Sequence, residues 1–256
     1  MTERSPVELN TTSAAAIDGR HIRAVTFHGV RMEYVRGVLG RDATRPPGRR
    51  ALVVGGIRGE LARGLAGEGL DVTAVDPSEV ATRIARERAE REGIAVTHLT
   101  GPAERLDLPD AAFDLAYCAD TFEITDRLDD VLAEAARVLV PGGVLIYDTV
   151  NRTPLSRLIY LGAFQGIPQT RIVPPGRYAA ARLRRPAELS AAMERHGLRN
   201  EDVCGFRPTS VTGLVKTIRA RKSGAITTEE MAPRVAFRLE PGHRPLVTYL
   251  GLARKR

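Results

Sequence analysis

Apolar positions along this chain follow two spacings. Short runs of mostly branched apolar residues lie at 51–55, 71–75, 96–99, 113–118 and 144–147. Between them, at about 59–68, 78–92 and 127–139, apolar positions recur at helical spacing. The short runs are too apolar to face water on either side. They predict a parallel sheet sandwiched between helices, a doubly wound α/β architecture. Upstream, Ile22, Val25, Val30, Tyr34, Val35 and Val38 predict a helix from His21 to Leu39 that breaks at Gly40, and Arg45-Pro-Pro-Gly48 reads as a linker. Downstream, Pro186 to Gly197 has proline at the start and glycine at the end of a helix. Residues 198–206 and 245–253 predict two last strands, for seven in all.

Three segments fall outside this alternation. Residues 1–20 are small and polar and read as a flexible tail preceding one domain over 21–256. Asn151 to about 185 is rich in Leu, Ile, Tyr, Arg and Pro and is a candidate substrate lid, with 21–48 as its N-terminal counterpart. A polar, basic stretch at 216–243 reads as an insertion.

The first strand runs directly into Gly55-Gly56-Ile57-Arg58-Gly59, and a helix follows; the second strand ends on Asp76. A strand, a glycine turn, a helix and a strand ending in a carboxylate suit a nucleotide-type cofactor lying across the carboxyl ends of two parallel strands. Glycine serves such a turn because a Cβ would block the approach of backbone to ligand. The G-x-G-x-x-G dinucleotide pattern is absent. A catalytic Tyr-x-x-x-Lys of an NAD-dependent reductase is absent too, since no lysine precedes Lys216.

Composition narrows the class. The chain has 256 residues, 43% hydrophobic and 27% charged, as in globular proteins. No apolar run approaches the ~20 residues of a membrane span, and the first residues lack a signal-peptide core. Two cysteines, Cys118 and Cys204, form neither a disulfide framework nor a cysteine–zinc site, so a cytoplasmic setting is expected. The net charge of +7 comes from scattered arginines. With 5% aromatics and no tryptophan, the chain is poorly supplied for stacking nucleic-acid bases.

Further motifs carry a resemblance. Ala103-Glu104-Arg-Leu-Asp-Leu-Pro, Phe113-Asp114-Leu and Pro141-Gly142-Gly143 before the fifth strand are similar to the class I S-adenosylmethionine-dependent methyltransferases, which have a Rossmann-like sheet. Phe27-His-Gly-Val-Arg31-Met-Glu-Tyr34-Val, Asp148-Thr-Val-Asn151-Arg152, Arg171-Ile-Val-Pro-Pro-Gly176 and Arg185-Pro-Ala-Glu-Leu189 resemble the ubiquinone-biosynthesis 3-O-methyltransferases, over about 22–206. The resemblance implies S-adenosylmethionine as cofactor, with Arg31 on its carboxylate, Gly55 beside its methionine portion and Asp76 on its ribose. Ala119 would contact it by backbone, Gly56 and Gly59 would complete the turn, and Glu104 is the carboxylate nearest the adenine. The acceptor implied is a hydroxylated aromatic or quinone-like small molecule, and the lid implies contact with an anionic membrane surface.

The chain departs from that pattern at Val53, Ile57, Pro102, Ile124 and Tyr178. The family's Glu-x-x-Glu-His reads Asp120-Thr-Phe-Glu123-Ile124 here, and a second family histidine aligns with Tyr178. O-methylation requires removal of a hydroxyl proton, done best by a group titrating near neutrality. Glu123, Asp120 and His28 are the candidate bases, with Tyr178 beside them. Asp120 and Glu123 could offer two oxygens to Mg²⁺, but no metal site is assigned. The departures leave open a second reading, a non-catalytic relative acting as a binding module.

Overall fold

The computed structural model describes residues 6–13, 15–41, 44 and 46–256. Chain order is α1 (Gly19–Leu39), β1 (Arg50–Val54), α2 (Glu60–Gly67), β2 (Asp71–Asp76), α3 (Glu79–Glu92), β3 (Thr97–Thr100), β4 (Phe113–Cys118), α4 (Leu128–Val138) and β5 (Leu139–Val150). A single turn, α5 (Pro154–Ser156), runs into a π-helical stretch, Arg157–Gly166. Then come α6 (Pro186–Arg195), β6 (Leu198–Pro208), α7 (Val211–Lys222), β7 (Phe237–Glu240) and β8 (Thr248–Lys255).

The strands form one sheet in the order β3-β2-β1-β4-β5-β8-β6-β7. The first five are parallel, and β8 runs antiparallel between β5 and β6. This is the doubly wound, mostly parallel sheet expected, with eight strands where seven were predicted. The extra one, β7, lies in the 216–243 stretch and pairs antiparallel with the outer side of β6. The Pro141-Gly142-Gly143 segment is not a turn before β5. Strand pairing already starts at Phe113–Leu139, and the three residues form an irregularity before pairing resumes at Leu115–Val144.

Capping sets the helices that face the carboxyl edge of the sheet. The Asp18 carboxylate accepts from the backbone N–H groups of Arg20 and His21 at the start of α1, and Ser78 caps α3 through Ala81 N. Gly93 ends α3 in the left-handed conformation. One apolar layer joins α4 and α6 to one face of the sheet, through Leu132, Leu189 and Met193. The other joins α1 and α2 to the opposite face, through Val35, Leu61 and Leu65.

The expected tail is buried at residues 16–20, while Pro6, Glu8, Thr12, Ser13 and Ala15 are exposed; residues 1–5 and 14 lie outside the described residues, as does Arg45 of the expected linker. Ile17 is fully buried and Val7 bridges to it. Asn10 N donates to Asp18 Oδ2 at 2.9 Å. The Ile17 side chain joins Ile22, Tyr160, Ile172, Val173 and Tyr178 in a third apolar cluster. That cluster binds the N-terminal segment, α1 and residues 157–178 together over the carboxyl ends of the strands.

Candidate functional site

β1 ends in the glycine turn, whose backbone is pinned on both sides. Gly55 N donates to Val75 O and Ala119 N to Val54 O, each at 2.9 Å. Gly55 has φ +80, and a Cβ there would sit 2.3 Å from Ala119 O and 2.9 Å from Thr121 Oγ1. Gly59, also at φ +80, starts α2. Gly56 packs on Ala74 beneath the turn. Ile57 is left-handed at φ 50, a strained setting for a branched residue.

Beside the turn lies a cavity of about 310 Å³. Val54, Gly55, Val75, Pro77 and Ser78 form one wall, and Gly101, Ala103, Glu104, Asp120, Thr121, Ile124 and Thr125 another; Asn10, Arg20 and Arg177 cover it. Neither Ile57 nor Arg58 lines it. Ile57 is buried, and Arg58 reaches away to Thr11 O at 2.7 Å. The bulkier turn therefore leaves the cleft open, and a cradle that a single Cβ would fill fits a cofactor laid against backbone. Glu104 borders the cleft and accepts from Thr125 Oγ1 at 2.6 Å.

Asp76 sits at the end of β2 but is already engaged. Oδ2 accepts from Ile57 N at 2.9 Å and from Arg20 Nη2 at 2.6 Å; Oδ1 accepts from Ser78 N at 3.0 Å and, at 3.4 Å, from Arg20 Nη1. These contacts use the carboxylate's acceptor sites. A ribose reaches Asp76 only as Arg20 gives way.

Arg31 is placed otherwise than the resemblance implied. It is buried and does not line the cleft, and its guanidinium pairs with Asp120 and Asp148, each at 2.8 Å. Sequence reasoning passed over its neighbours Arg20 and Arg23. The three lie at i, i+3 and i+11 on one side of α1, a helical stripe that could have flagged a buried basic face.

Arg23 is the hub of the second half of the site. Nη2 donates to Asp120 and, at 2.9 Å, to Glu123 Oε1; Nη1 donates to the Tyr178 hydroxyl at 3.2 Å. Its guanidinium lies 5.1 Å from the ring centroids of both Phe27 and Tyr160. The expected trio Asp120, Glu123 and Tyr178 is thus brought together around one cation. Glu123 Oε2 also accepts from Thr149 Oγ1 at 3.0 Å.

Burial raises the Glu123 pKa, and the Asp120 charge pushes the same way against Arg23. Burial and Asp120 likewise push Asp148 up to about 7, against Arg31. Asp120 goes the other way: Arg23 and Arg31 outweigh its burial and hold it below the usual carboxylate range. Burial raises Tyr178, so its hydroxyl keeps its proton. Asp148 was quoted only as part of a motif; its place at the buried end of an apolar strand gave no sign of a charged partner.

His28 is not near this cluster. It borders a separate cavity with Glu60, Arg63 and Gly64, where burial lowers its pKa. Among the described residues no group of three or more His, Cys, Asp or Glu side chains could hold a metal ion. Asp120 and Glu123 face Arg23 instead.

Known proteins resemble this chain in sequence and fold. A methyltransferase-domain family model matches residues 52–147, from β1 into β5. The ubiquinone biosynthesis O-methyltransferase of Xanthomonas axonopodis is 32% identical over 190 residues, covering 74% of this chain and 77% of its own. That of Bordetella avium is 28% identical over 186 residues, covering 72% and 75%. The fold matches a SAM-dependent methyltransferase from Thermotoga maritima with TM-score 0.55 at 20% identity, over 92% of this chain and 99% of that one. It also matches the magnesium protoporphyrin IX methyltransferase of Synechocystis, solved with bound SAH, with TM-score 0.58 at 17% identity over 93% and 86%. The glycine cradle, the carboxylate ending β2 and this likeness over three quarters of the chain make it an S-adenosylmethionine-dependent methyltransferase acting on a small molecule, a member of the family of the ubiquinone biosynthesis O-methyltransferases.

Proposed function

We propose that the enzyme methylates a hydroxyl of an aromatic or quinone-like acceptor held beneath residues 151–185, which serve as its lid. The reading rests above all on Asp120, Glu123 and Tyr178 meeting around Arg23 where β4 opens into the cleft. Gly55, Gly56, Gly59, Ala119 and Glu104 would line the cofactor, with Asp76 on its ribose once Arg20 moves. Bound S-adenosylmethionine supplies an electrophilic methyl group. The chain supplies the rest. Glu123 is fully buried against Arg23 and Thr149 and does not line the cleft, so with its raised pKa it would take the acceptor's proton as Arg23 moves aside. The Tyr178 hydroxyl accepts from Arg23 and has its own proton free to orient the acceptor oxygen.

In a chromatographic assay with a catechol acceptor, Glu123→Gln is expected to lower kcat about a hundredfold or more, within the range for a lost general base, while S-adenosylhomocysteine still binds as to the wild type. An unchanged kcat removes Glu123 as the base. Methyl transfer to no catechol, in wild-type protein that binds cofactor, removes the O-methylation reading and favours the binding-module reading.

A peripheral position on the inner, anionic face of a membrane fits the same lid. Leu155, Leu158 and Ile167 are exposed at 44%, 66% and 47%, with Arg157 and Arg171 alongside. No described helix is long and apolar enough to cross a membrane. The protein is expected to sediment with vesicles containing phosphatidylglycerol, and Leu155→Ser with Leu158→Ser to weaken this about tenfold or more, as two buried leucines would require. Equal sedimentation of both proteins rejects the surface. Nucleic acid is not the proposed partner, because Arg20, Arg23, Arg31, Arg50 and Arg88 all spend their charge on carboxylates of this chain.

A further inference from the structure

With Arg31 committed to Asp120 and Asp148, the cofactor's carboxylate needs another cation, and one stands at the cleft without a partner. Arg177 lines the cavity together with Gly55, Asp120 and Thr121. Its guanidinium has no hydrogen bond or ion pair with any described residue, and its Nε is buried with no acceptor. The carboxylates nearby are engaged: Asp120 by Arg23 and Arg31, Glu123 by Arg23 and Thr149, Glu104 by Thr125. Burial first and then the neighbouring Arg20 disfavour its charge, against weaker attraction from Tyr178, Glu123 and Asp120. A desolvated guanidinium left without a counter-charge is costly.

The backbone nevertheless holds Arg177 in that place. Gly176 is left-handed at φ +83, and its carbonyl accepts from Arg182 Nη2 at 3.1 Å. On the other side, the Gln165 amide clamps Tyr178, accepting from its N–H and donating to its carbonyl, each at 2.9 Å. The turn thus carries a rigidly mounted cation to the part of the cleft beyond the ribose carboxylate, beside Asp120.

We propose that Arg177, carried by the segment above the sheet, binds the carboxylate of the cofactor's methionine end in place of Arg31. Guanidinium and carboxylate meet through two parallel hydrogen bonds. Because the backbones of Gly176 and Tyr178, on either side of Arg177, are tied to the Arg182 and Gln165 side chains, the pairing also fastens residues 165–182 over bound cofactor. This rests on the cofactor reading given above.

Two ligands that differ at the methionine end provide the test. S-adenosylhomocysteine has the carboxylate; 5′-methylthioadenosine keeps the adenosine and sulfur but lacks it. Titration calorimetry of Arg177→Ala is expected to show S-adenosylhomocysteine weakened about tenfold to a hundredfold, the range for a charged hydrogen-bonded pair, with methylthioadenosine changed less than about twofold. Arg177→Lys should recover part of the loss. Arg177→Ala should also melt within about 2–4 °C of the wild type, since the side chain makes no hydrogen bond or ion pair with a described residue. Equal weakening of both ligands, or neither, overturns the assignment. So does a variant at Arg31, Arg31→Lys, that loses the carboxylate preference while Arg177→Ala keeps it. Wild-type protein that binds neither ligand overturns the cofactor reading and this assignment with it.

Discussion

Gly55→Ala is expected to weaken cofactor binding severely. Two costs meet at this residue. Its φ of +80 is left-handed, which disfavours any Cβ by about 1–2 kcal/mol. The Cβ would also stand 2.3 Å from Ala119 O. That carbonyl cannot retreat freely, because the adjoining N–H of Ala119 is bonded to Val54 and the Gly55 N–H to Val75. Relief requires the ends of β1 and β4 to part, which deforms the floor of the cleft. Calorimetry is expected to show S-adenosylhomocysteine at least about a hundredfold weaker, the loss of roughly two well-made polar contacts. Gly69→Ala isolates the backbone cost: φ is also +80, but the new Cβ meets nothing within 4 Å. It should lower Tm by about 2–4 °C and leave ligand affinity alone. A Gly55→Ala variant that binds like the wild type would place the cofactor somewhere other than this turn.

That turn was legible because each of its signals is local. A branched apolar run, a glycine cluster and a carboxylate after the next run lie within 26 residues, 51–76. The parallel strands were legible for the same reason, since burial on both faces writes itself into composition. β7 was not. Phe237-Arg-Leu-Glu240 has four residues, polar at two of them, and becomes a strand only because the outer side of β6 offers it a partner. Nor was the packing of the N-terminal segment visible, where the one large apolar side chain among buried Ala16, Ile17 and Asp18 follows small and polar residues.

The charged cluster was hidden by a general expectation. Arginines on a helix normally face water, so nothing local marked Arg20 and Arg23, and Arg31 stood out only through a family motif. In the fold each lies under a carboxylate contributed from 56 to 117 positions away. Such pairings depend on where β2, β4 and β5 end relative to α1, which no local pattern encodes. The motif's arginine, Arg31, likewise meets two carboxylates of the chain, Asp120 and Asp148.

Removing the hub of that cluster has the other large effect. Arg23→Met keeps most of the side-chain volume and its contact with Tyr160 but deletes the charge. Wild-type protein sets two guanidiniums, Arg23 and Arg31, against Asp120, Glu123 and Asp148, all fully or nearly fully buried. The variant sets one against three. Breaking a buried pair from one side costs about 3–5 kcal/mol, expected as that loss in urea denaturation at pH 8. The sign of the pH dependence follows from the shifts. Asp148, ordinarily at 3.8, is pushed up to about 7, and Glu123 is raised above 4.5. Between those limits the native state holds more protons than the unfolded chain, so wild-type stability falls as pH rises from about 4 to about 7. Asp120, held low by the two arginines, acts oppositely; its contribution is present above 3.8 and is lost only on acidification. Without Arg23 all three carboxylates lose a counter-charge and take up protons more readily. The deficit of Arg23→Met should therefore shrink markedly at pH 5.5. Equal destabilisation at both pH values would assign the loss to packing against Phe27, Tyr160 and Tyr178 alone. No destabilisation at pH 8 would mean that the cluster is not ionised as drawn, and with it would go Glu123 as a base whose burial-raised proton affinity is opposed by Arg23.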